Sequence, residues 1–501
     1  MRISKEEPGE GTPWRRDLRS GTGLAGYDAD MSTASPNDVT VVILAAGEGK
    51  RMRSRQPKVL HPLCGRPLIA YALRAARMVA DRLVLVVGSD GDGVTAVAGP
   101  GVAVVEQRER LGTGHAVQQA RAHAASGTVL VVAGDMPLLT GETLERLVVH
   151  HCATRAAATI LSAVASDPHG YGRVLRQGGR VARIVEERDA TDDQKKISEI
   201  NTSVYCFDAA RLWPALDRVE SNNDQGEYYL TDAIGILSRS GARVEAVVVG
   251  DPDEALGVND RKQLAAAAAI QRRRILDRLM LEGVTILDPA TTYIGDEVLI
   301  GADTVIHPHV TIEGDSVLGN ECVVATGCHI SKSRLADRVT LRPYCVLAES
   351  VVEENAILGP FCHLRPNSHV GPEVHIGNFV ELKKTRMGRG AKANHLAYLG
   401  DATVGERVNV GAGAITCNYD GFRKHDTTIG DDAFVGTNVN MVAPITIGEG
   451  SYIGAGSTVT KDVPADALVV ERAQPIAKDG WAARWRARHG KPRPGETKKD
   501  S

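Results

Sequence analysis

At 501 residues the chain is too long for one hydrophobic core, and two domains with tails are expected. A net charge of −3 argues against bulk nucleic-acid binding. No apolar run approaches the ~20 residues of a membrane span, and the opening MRISKEEPGEGTPWRRDLRS lacks the apolar centre of a signal peptide. Eight cysteines without CxxC spacing read as small, reduced residues, which places the protein in the cytoplasm.

Residues 1–38 are polar and rich in Gly and Pro, so they are expected to lack structure, and translation is expected to begin at Met31. Thr40–Ala45 reads as a buried parallel strand running into LAAGEGKRMRSRQPKVL, Leu44 to Leu60. Gly47 and Gly49 let the backbone approach a nucleotide, and Arg51 and Lys58 are placed to reach phosphate oxygens. Arg82–Val87 is a second strand, and a Gly-rich loop follows from Gln107 to His115. Thr128–Ala133 is a very apolar strand ending in Gly134-Asp135. A carboxylate at the carboxyl end of a central parallel strand is where such sheets hold ligands, and Asp135 is expected to bind Mg²⁺.

An Ala-rich stretch from Lys262 to about Leu281 predicts a helix, a rigid arm between the two halves. Beyond it an aliphatic residue returns at every sixth position. The row is Ile294, Ile300, Ile306, Ile312, Leu318, Val324 and Ile330, then Val352 to Leu382, then Ile429 to Val459. That period belongs to a hexapeptide parallel β-helix, not to a helix or an ordinary strand. About nine coils are expected, a prism roughly 45 Å long at the ~4.8 Å strand spacing. The aromatic content of only 4% suits a solenoid filled by Val, Ile, Ala and Gly.

Two breaks in the repeat hold the reactive side chains, Lys383–Leu399 and Cys417–Thr428, and both read as surface loops. His395 in the first is suited to general-base work near neutral pH, with Glu381 a candidate to orient its ring. Lys424 in the second is a candidate phosphate anchor.

LAAGxGxRM followed by PKVLH resembles sugar-nucleotide pyrophosphorylases. With the repeat and the Asn394-His395-Leu-Ala-Tyr398-Leu-Gly-Asp401 segment, the chain is most similar to the bacterial bifunctional family that joins N-acetylglucosamine-1-phosphate uridylyltransferase to glucosamine-1-phosphate N-acetyltransferase. The resemblance covers about residues 39–480. It implies a Rossmann-like α/β nucleotidyltransferase domain over 39–261, a linker helix over 262–282 and a left-handed β-helix over 283–470. A cap segment and basic tail would fill 471–501.

It further implies that Leu44, Ala45, Ala46 and Gly47, with Arg51 and Lys58, hold UTP, and that Gln107, Gly112 and Thr113 contact uracil. Gly172, Glu186 and Asn201 would bind the acetylated sugar phosphate, with Asn259 the second Mg²⁺ ligand. In the other half Arg365, Lys383, Tyr398 and Asn409 would hold glucosamine-1-phosphate. Ala412, Asn418, Tyr419, Thr437, Ala455 and Arg472 match acetyl-coenzyme A positions. The family forms homotrimers and supplies a precursor for peptidoglycan and the cell envelope. Lys50, Ser203, Asn394 and Thr437 depart from its usual residues. A plain nucleotidylyltransferase with a regulatory repeat would lack the His395 and CNYDG segments. A pair of transferases acting on another sugar or acyl donor is the nearest alternative.

Overall fold

The computed structural model describes residues 38–472 and 475–490. The expected translation start at Met31 and the basic tail lie outside them.

Nine strands form the first sheet: β1 (Val39–Ala45), β2 (Arg82–Val87), β3 (Val102–Glu106), β4 (Thr128–Ala133), β5 (Ala158–Val164), β6 (Arg173–Gln177), β7 (Arg180–Val185), β8 (Glu199–Asp208) and β9 (Val244–Val248). Their order is β9-β5-β8-β4-β1-β2-β3, with the β6–β7 hairpin attached through β8. β1 lies between β2 and β4 and is parallel to both, so its carboxyl end opens beside that of β4. Six of its seven residues are buried. This is why it reads as one continuous aliphatic run. Helices pack on both faces, giving two separate cores.

From Thr285 to Val469 the chain winds through short parallel strands. One face is a ladder of 11 strands, and 17 more make up the other two. The helix therefore starts before Ile294 and runs more coils than the repeat alone suggested. Tyr293 pairs with Thr311 eighteen residues on, and Val317 with Arg334 only seventeen on. That difference explains the apparent phase slips. Between Ile330 and Val352 the inward row continues through Leu335, Leu341 and Leu347, all buried. The short steps fall at corners where Lys332 (φ 46) and Glu349 (φ 45) turn the chain.

The same reasoning corrects the first break. Leu382, Met387, Ala393, Leu399 and Val404 are all buried, so Lys383–Leu399 is ordinary ladder, lying in strands Glu381–Met387, Lys392–His395 and Tyr398–Val404. An alanine at 393 and five-residue steps disguise it. The second break is shorter than expected: Cys417 pairs with Val442 and Thr427 with Ala402, so among the described residues only Asn418–Asp426 leaves the ladder, and Asn409 pairs with Phe434 twenty-five residues on.

The helix Arg261–Leu281 is begun by Asp260, whose carboxylate accepts from the Gln263 N–H at 2.8 Å. It is no free arm. Ala267, with Leu264, Ala268 and Ile270, packs on Leu63, Leu68 and Tyr71 of the first domain. Ile275, Leu276 and Leu279 plug the open end of the β-helix. Asp296 then bolts the halves together. Its carboxylate meets Arg66 Nε at 2.8 Å and Arg74 Nη1 at 2.6 Å, and its N–H donates to the Cys64 carbonyl at 3.0 Å.

Leu341→Ala should cost about 2–5 kcal/mol, because the neighbouring coils cannot collapse into the space. A lower denaturant midpoint for β-helix unfolding checks this, and an unchanged midpoint would contradict the packing described.

Candidate active sites

The first site lies where β1 and β4 end. The Leu44 carbonyl accepts from the Gly134 N–H at 2.9 Å, which sets the Ala45-Ala46-Gly47 turn beside Asp135. Gly49 has φ 64, and a Cβ there would lie 2.5 Å from the Lys58 Cβ. Glycine is thus required both for the turn and for the approach of Lys58. The Lys58 ammonium bonds to Asp135 Oδ2 and lies 3.0 Å from Asn259 Oδ1. The Val258 N–H donates to the Asp135 carbonyl at 2.9 Å, which draws the 257–259 turn onto the end of β4. Arg51 is exposed on the short helical turn Lys50–Met52.

Two oxygens from residues 201 positions apart along the chain from Lys58, or 77, thus converge on one ammonium. Mg²⁺ typically takes one or two carboxylates and completes its shell with phosphate and water. The donor set Asp135 and Asn259 fits that pattern. Among the described residues there is no cluster of three or more His, Cys, Asp or Glu that could hold a metal by itself.

Gln107 is buried, its amide donating to the Gly112 carbonyl at 3.0 Å. Gly112 has φ 108 and abuts the Tyr228 backbone, and the Thr113 hydroxyl accepts from the Leu230 N–H at 3.0 Å. Gly172, Glu186 and Asn201 meet: a Cβ on Gly172 would sit 3.3 Å from Glu186 Oε2 and 3.5 Å from the Asn201 Cβ. Burial raises the Glu186 carboxyl above its usual range, and the Thr231 hydroxyl only partly offsets this. Asn201 Nδ2 donates to the Tyr205 hydroxyl at 2.7 Å. Ser203 has φ 63 at an irregularity of β8, which is why glycine is the easier residue there. Lys50 forms an ion pair with Glu48 at 2.8 Å.

Sequence reasoning passed over Arg110. Its guanidinium reaches the Ala46 carbonyl, Glu48 Oε1 and Asp90 Oδ1, each at 2.8 Å, and so ties the 107–113 loop to the 44–49 loop. Arg173, buried at the start of β6, pairs with Glu187 at 2.8 Å. The one signal in the sequence was the place of Arg110 inside the Gln107–His115 loop and of Arg173 next to Gly172.

The second site runs along the β-helix. His395 ends its strand, exposed, with Nδ1 3.0 Å from Asn378 Oδ1 in the coil before. With that oxygen as acceptor, Nδ1 carries the proton and Nε2 keeps a free lone pair. Glu381 does not orient this ring: it pairs with Arg365 at 3.0 Å. Lys383 Nζ lies 2.8 Å from Asp401 Oδ2, and the hydrogen bond to Asp401 raises the lysine above its ordinary value. Lys424, beside it, is lowered by Lys383. Asn418 is buried, 3.5 Å from the Tyr398 hydroxyl, while Tyr419 is exposed in the excursion. Ala412, Thr437 and Ala455 fall in one stack of turns, joined by Asn438 N–H to the Ala412 carbonyl at 2.7 Å and Gly456 N–H to the Thr437 carbonyl at 2.8 Å. Asn409 is half-buried one coil on from the His395 strand, in the same ladder, and Arg472 is exposed beyond the last coil.

A MobA-like NTP transferase domain matches residues 41–253. Bacterial transferase hexapeptide repeats match 349–384 and 426–461, and the hexapeptide repeat of succinyl-transferase matches 292–332. The bifunctional protein GlmU of Geobacillus sp. (strain WCH70) is 48% identical over 447 residues, 88% of this chain and 97% of its own length. That of Geobacter sulfurreducens is 48% identical over 473 residues, 90% of this chain and 99% of its own. The chain belongs to the bifunctional GlmU family. Like the family, it is a two-activity enzyme of UDP-N-acetylglucosamine synthesis. Its hexapeptide domain acetylates glucosamine-1-phosphate from acetyl-coenzyme A, and its nucleotidyltransferase domain joins the product to UMP from UTP, releasing pyrophosphate.

Gly49→Ala should displace Lys58 and lower uridylyl transfer by about 10²-fold, the usual effect of a misplacement near 1 Å. Acetyl transfer should be unchanged. Parallel assays of both activities decide it, and normal uridylyl transfer would contradict the packing of Lys58 on Gly49.

Proposed function

We propose that the two reactions run at the two clusters just described, with the roles that follow. At the β-helix, Arg365, Lys383 and Lys424 hold the sugar 1-phosphate by charge, and Tyr398 and Asn409 contact the amino sugar. Nε2 of His395 accepts a proton from the amine as its nitrogen attacks the thioester carbon. The carbon–sulfur bond breaks, the imidazolium returns that proton to the leaving sulfur, and coenzyme A departs as the thiol. Asn418, Tyr419, Ala412, Thr437, Ala455 and Arg472 seat the donor, with the Ala412 N–H toward the developing oxyanion. The observation that carries this reading is the His395–Asn378 contact, which leaves a basic nitrogen on an exposed edge.

In the first domain a phosphate oxygen of N-acetylglucosamine-1-phosphate attacks the α-phosphorus of UTP, and pyrophosphate departs. Arg51 and Lys58 balance the charge of the triphosphate, and Gln107, Gly112 and Thr113 hold the base. Gly172, Glu186 and Asn201 hold the acetylated sugar. Transfers of this kind depend on positioning and charge neutralisation. Mg²⁺, held by Asp135 and Asn259, would supply further neutralisation of the phosphates.

The active assembly is a homotrimer built on the β-helix. Support comes from an exposed aromatic row along one corner, in which Tyr344 stacks on Phe361 at 5.2 Å and Phe361 on Phe379 at 5.4 Å. The protein works in the cytoplasm and feeds peptidoglycan synthesis; its eight cysteines without CxxC spacing suit a reducing compartment. No described helix is long and apolar enough to cross a membrane.

His395→Ala should reduce acetyl transfer by about 10²–10⁴-fold, the usual contribution of a placed general base. Uridylyl transfer and the oligomer should persist. A trimeric variant with near-normal acetyl transfer would end the general-base reading. Asp135→Asn should give the opposite pattern, abolishing Mg²⁺-dependent uridylyl transfer and sparing acetyl transfer. Wild-type uridylyl transfer in that variant would refute the ligand assignment.

A further inference from the structure

Asp401 takes no part in the reaction as written, yet it is among the most enclosed carboxylates of the β-helix. Its side chain is 3% exposed. It stands at a corner with φ 49, a conformation a side chain adopts only at some cost. One of its oxygens, Oδ2, accepts from two groups at once: Lys383 Nζ at 2.8 Å and Asn418 Nδ2 at 2.5 Å. The other, Oδ1, faces Lys384 Nζ at 3.6 Å. Gly400 beside it leaves the room this needs, since a Cβ there would lie 2.4 Å from the Tyr398 hydroxyl and 2.7 Å from Asn418 Nδ2.

The two donors come from different parts of the site. Lys383 belongs to a ladder strand, and Asn418 opens the excursion that runs to Asp426. Asp420 ties the excursion together, accepting from the Phe422 and Arg423 N–H groups at 2.7 Å and pairing with His425 at 2.7 Å. Both of its ends continue into ladder strands, and at its start the Asn418 amide is fixed by Asp401. A buried charge left without its partners is costly, so the three groups hold one another in a single arrangement.

We infer that Asp401 is a positioning residue for acetyl transfer, fixing the Lys383 ammonium and the Asn418 amide through one shared oxygen so that the sites for the sugar phosphate and for the acyl donor are set together. This rests on the assignment of Lys383 to the sugar phosphate and Asn418 to acetyl-coenzyme A. The consequence is specific. A residue that touches neither substrate controls the binding of both, whereas each of its partners controls one.

The test is steady-state acetyl transfer by the full-length chain and its Asp401→Asn, Lys383→Ala, Asn418→Ala and Asp401→Asn/Lys383→Ala variants. Asp401→Asn should raise KM for glucosamine-1-phosphate and for acetyl-coenzyme A by about tenfold each, the effect of losing a charged hydrogen bond. Lys383→Ala should raise only the first and Asn418→Ala only the second. In the Lys383→Ala background, Asp401→Asn should add nothing to the sugar phosphate KM, because coupled residues are not additive. Uridylyl transfer in each variant should match the unmodified chain. Unchanged KM values in Asp401→Asn, or full additivity in the double variant, overturn the proposal while the substrate assignment stands. Unchanged KM values in both Lys383→Ala and Asn418→Ala overturn the assignment and the proposal with it. Should Asp401→Asn fail to fold, Asp401→Glu keeps the charge and shifts the oxygen by one methylene. The same two KM values should rise, and unchanged values would overturn the inference.

Discussion

The hydrogen-bond ladder between coils is the constraint on which the acetyl-transfer half depends. A strand of two or three residues has no partner in its own coil, so its N–H and C=O groups must pair with the coils above and below. Arg365, for example, donates its N–H to Leu382, and Glu381 donates to Ala397. Such a stack stands only as a series, each coil held by its neighbours. It also fixes lateral position to within a residue. Side chains seventeen or eighteen places apart are therefore direct neighbours, and a site can be assembled from Asn378 and His395, or from Lys383 and Asp401, without any loop to carry it.

The uridylyl-transfer half reaches the same end by another route. Parallel strands align their carboxyl ends, and the turns that follow supply the chemistry. Here long-range contacts do the alignment: Leu44 with Gly134, Val258 with Asp135, and Arg110 across to Ala46 and Glu48. The Lys58 ammonium sits among oxygens that also suit a hard cation. The Asp296 bolt and the shared helix Arg261–Leu281 join the halves without mixing their sites.

How much of this the sequence disclosed follows from what each residue must satisfy. The row from Ile294 to Val459 was readable because most inward positions are filled by Ile, Leu or Val. The five-residue steps were not, since a corner at Lys332 or Glu349 can drop a residue without changing composition. That slip made Lys383–Leu399 look like a loop. The partner of His395 was missed for a related reason: nearness along the chain suggested Glu381, but the ladder delivers Asn378. Asp401 was visible in the Leu-Gly-Asp segment, yet nothing in the period shows that a corner residue turns inward to two donors. The Ala-rich helix was plain from composition, while the burial of Ile275, Leu276 and Leu279 in the β-helix was not.

The central claim is that one chain acetylates the sugar phosphate before joining it to the nucleotide, at two separate sites. The most direct measurement is a phosphorus NMR time course on the purified chain with glucosamine-1-phosphate, acetyl-coenzyme A, UTP and Mg²⁺. N-acetylglucosamine-1-phosphate should appear first and UDP-N-acetylglucosamine should follow, with pyrophosphate released in step with the second product. UDP-glucosamine formed ahead of any acetylated sugar phosphate would contradict the account.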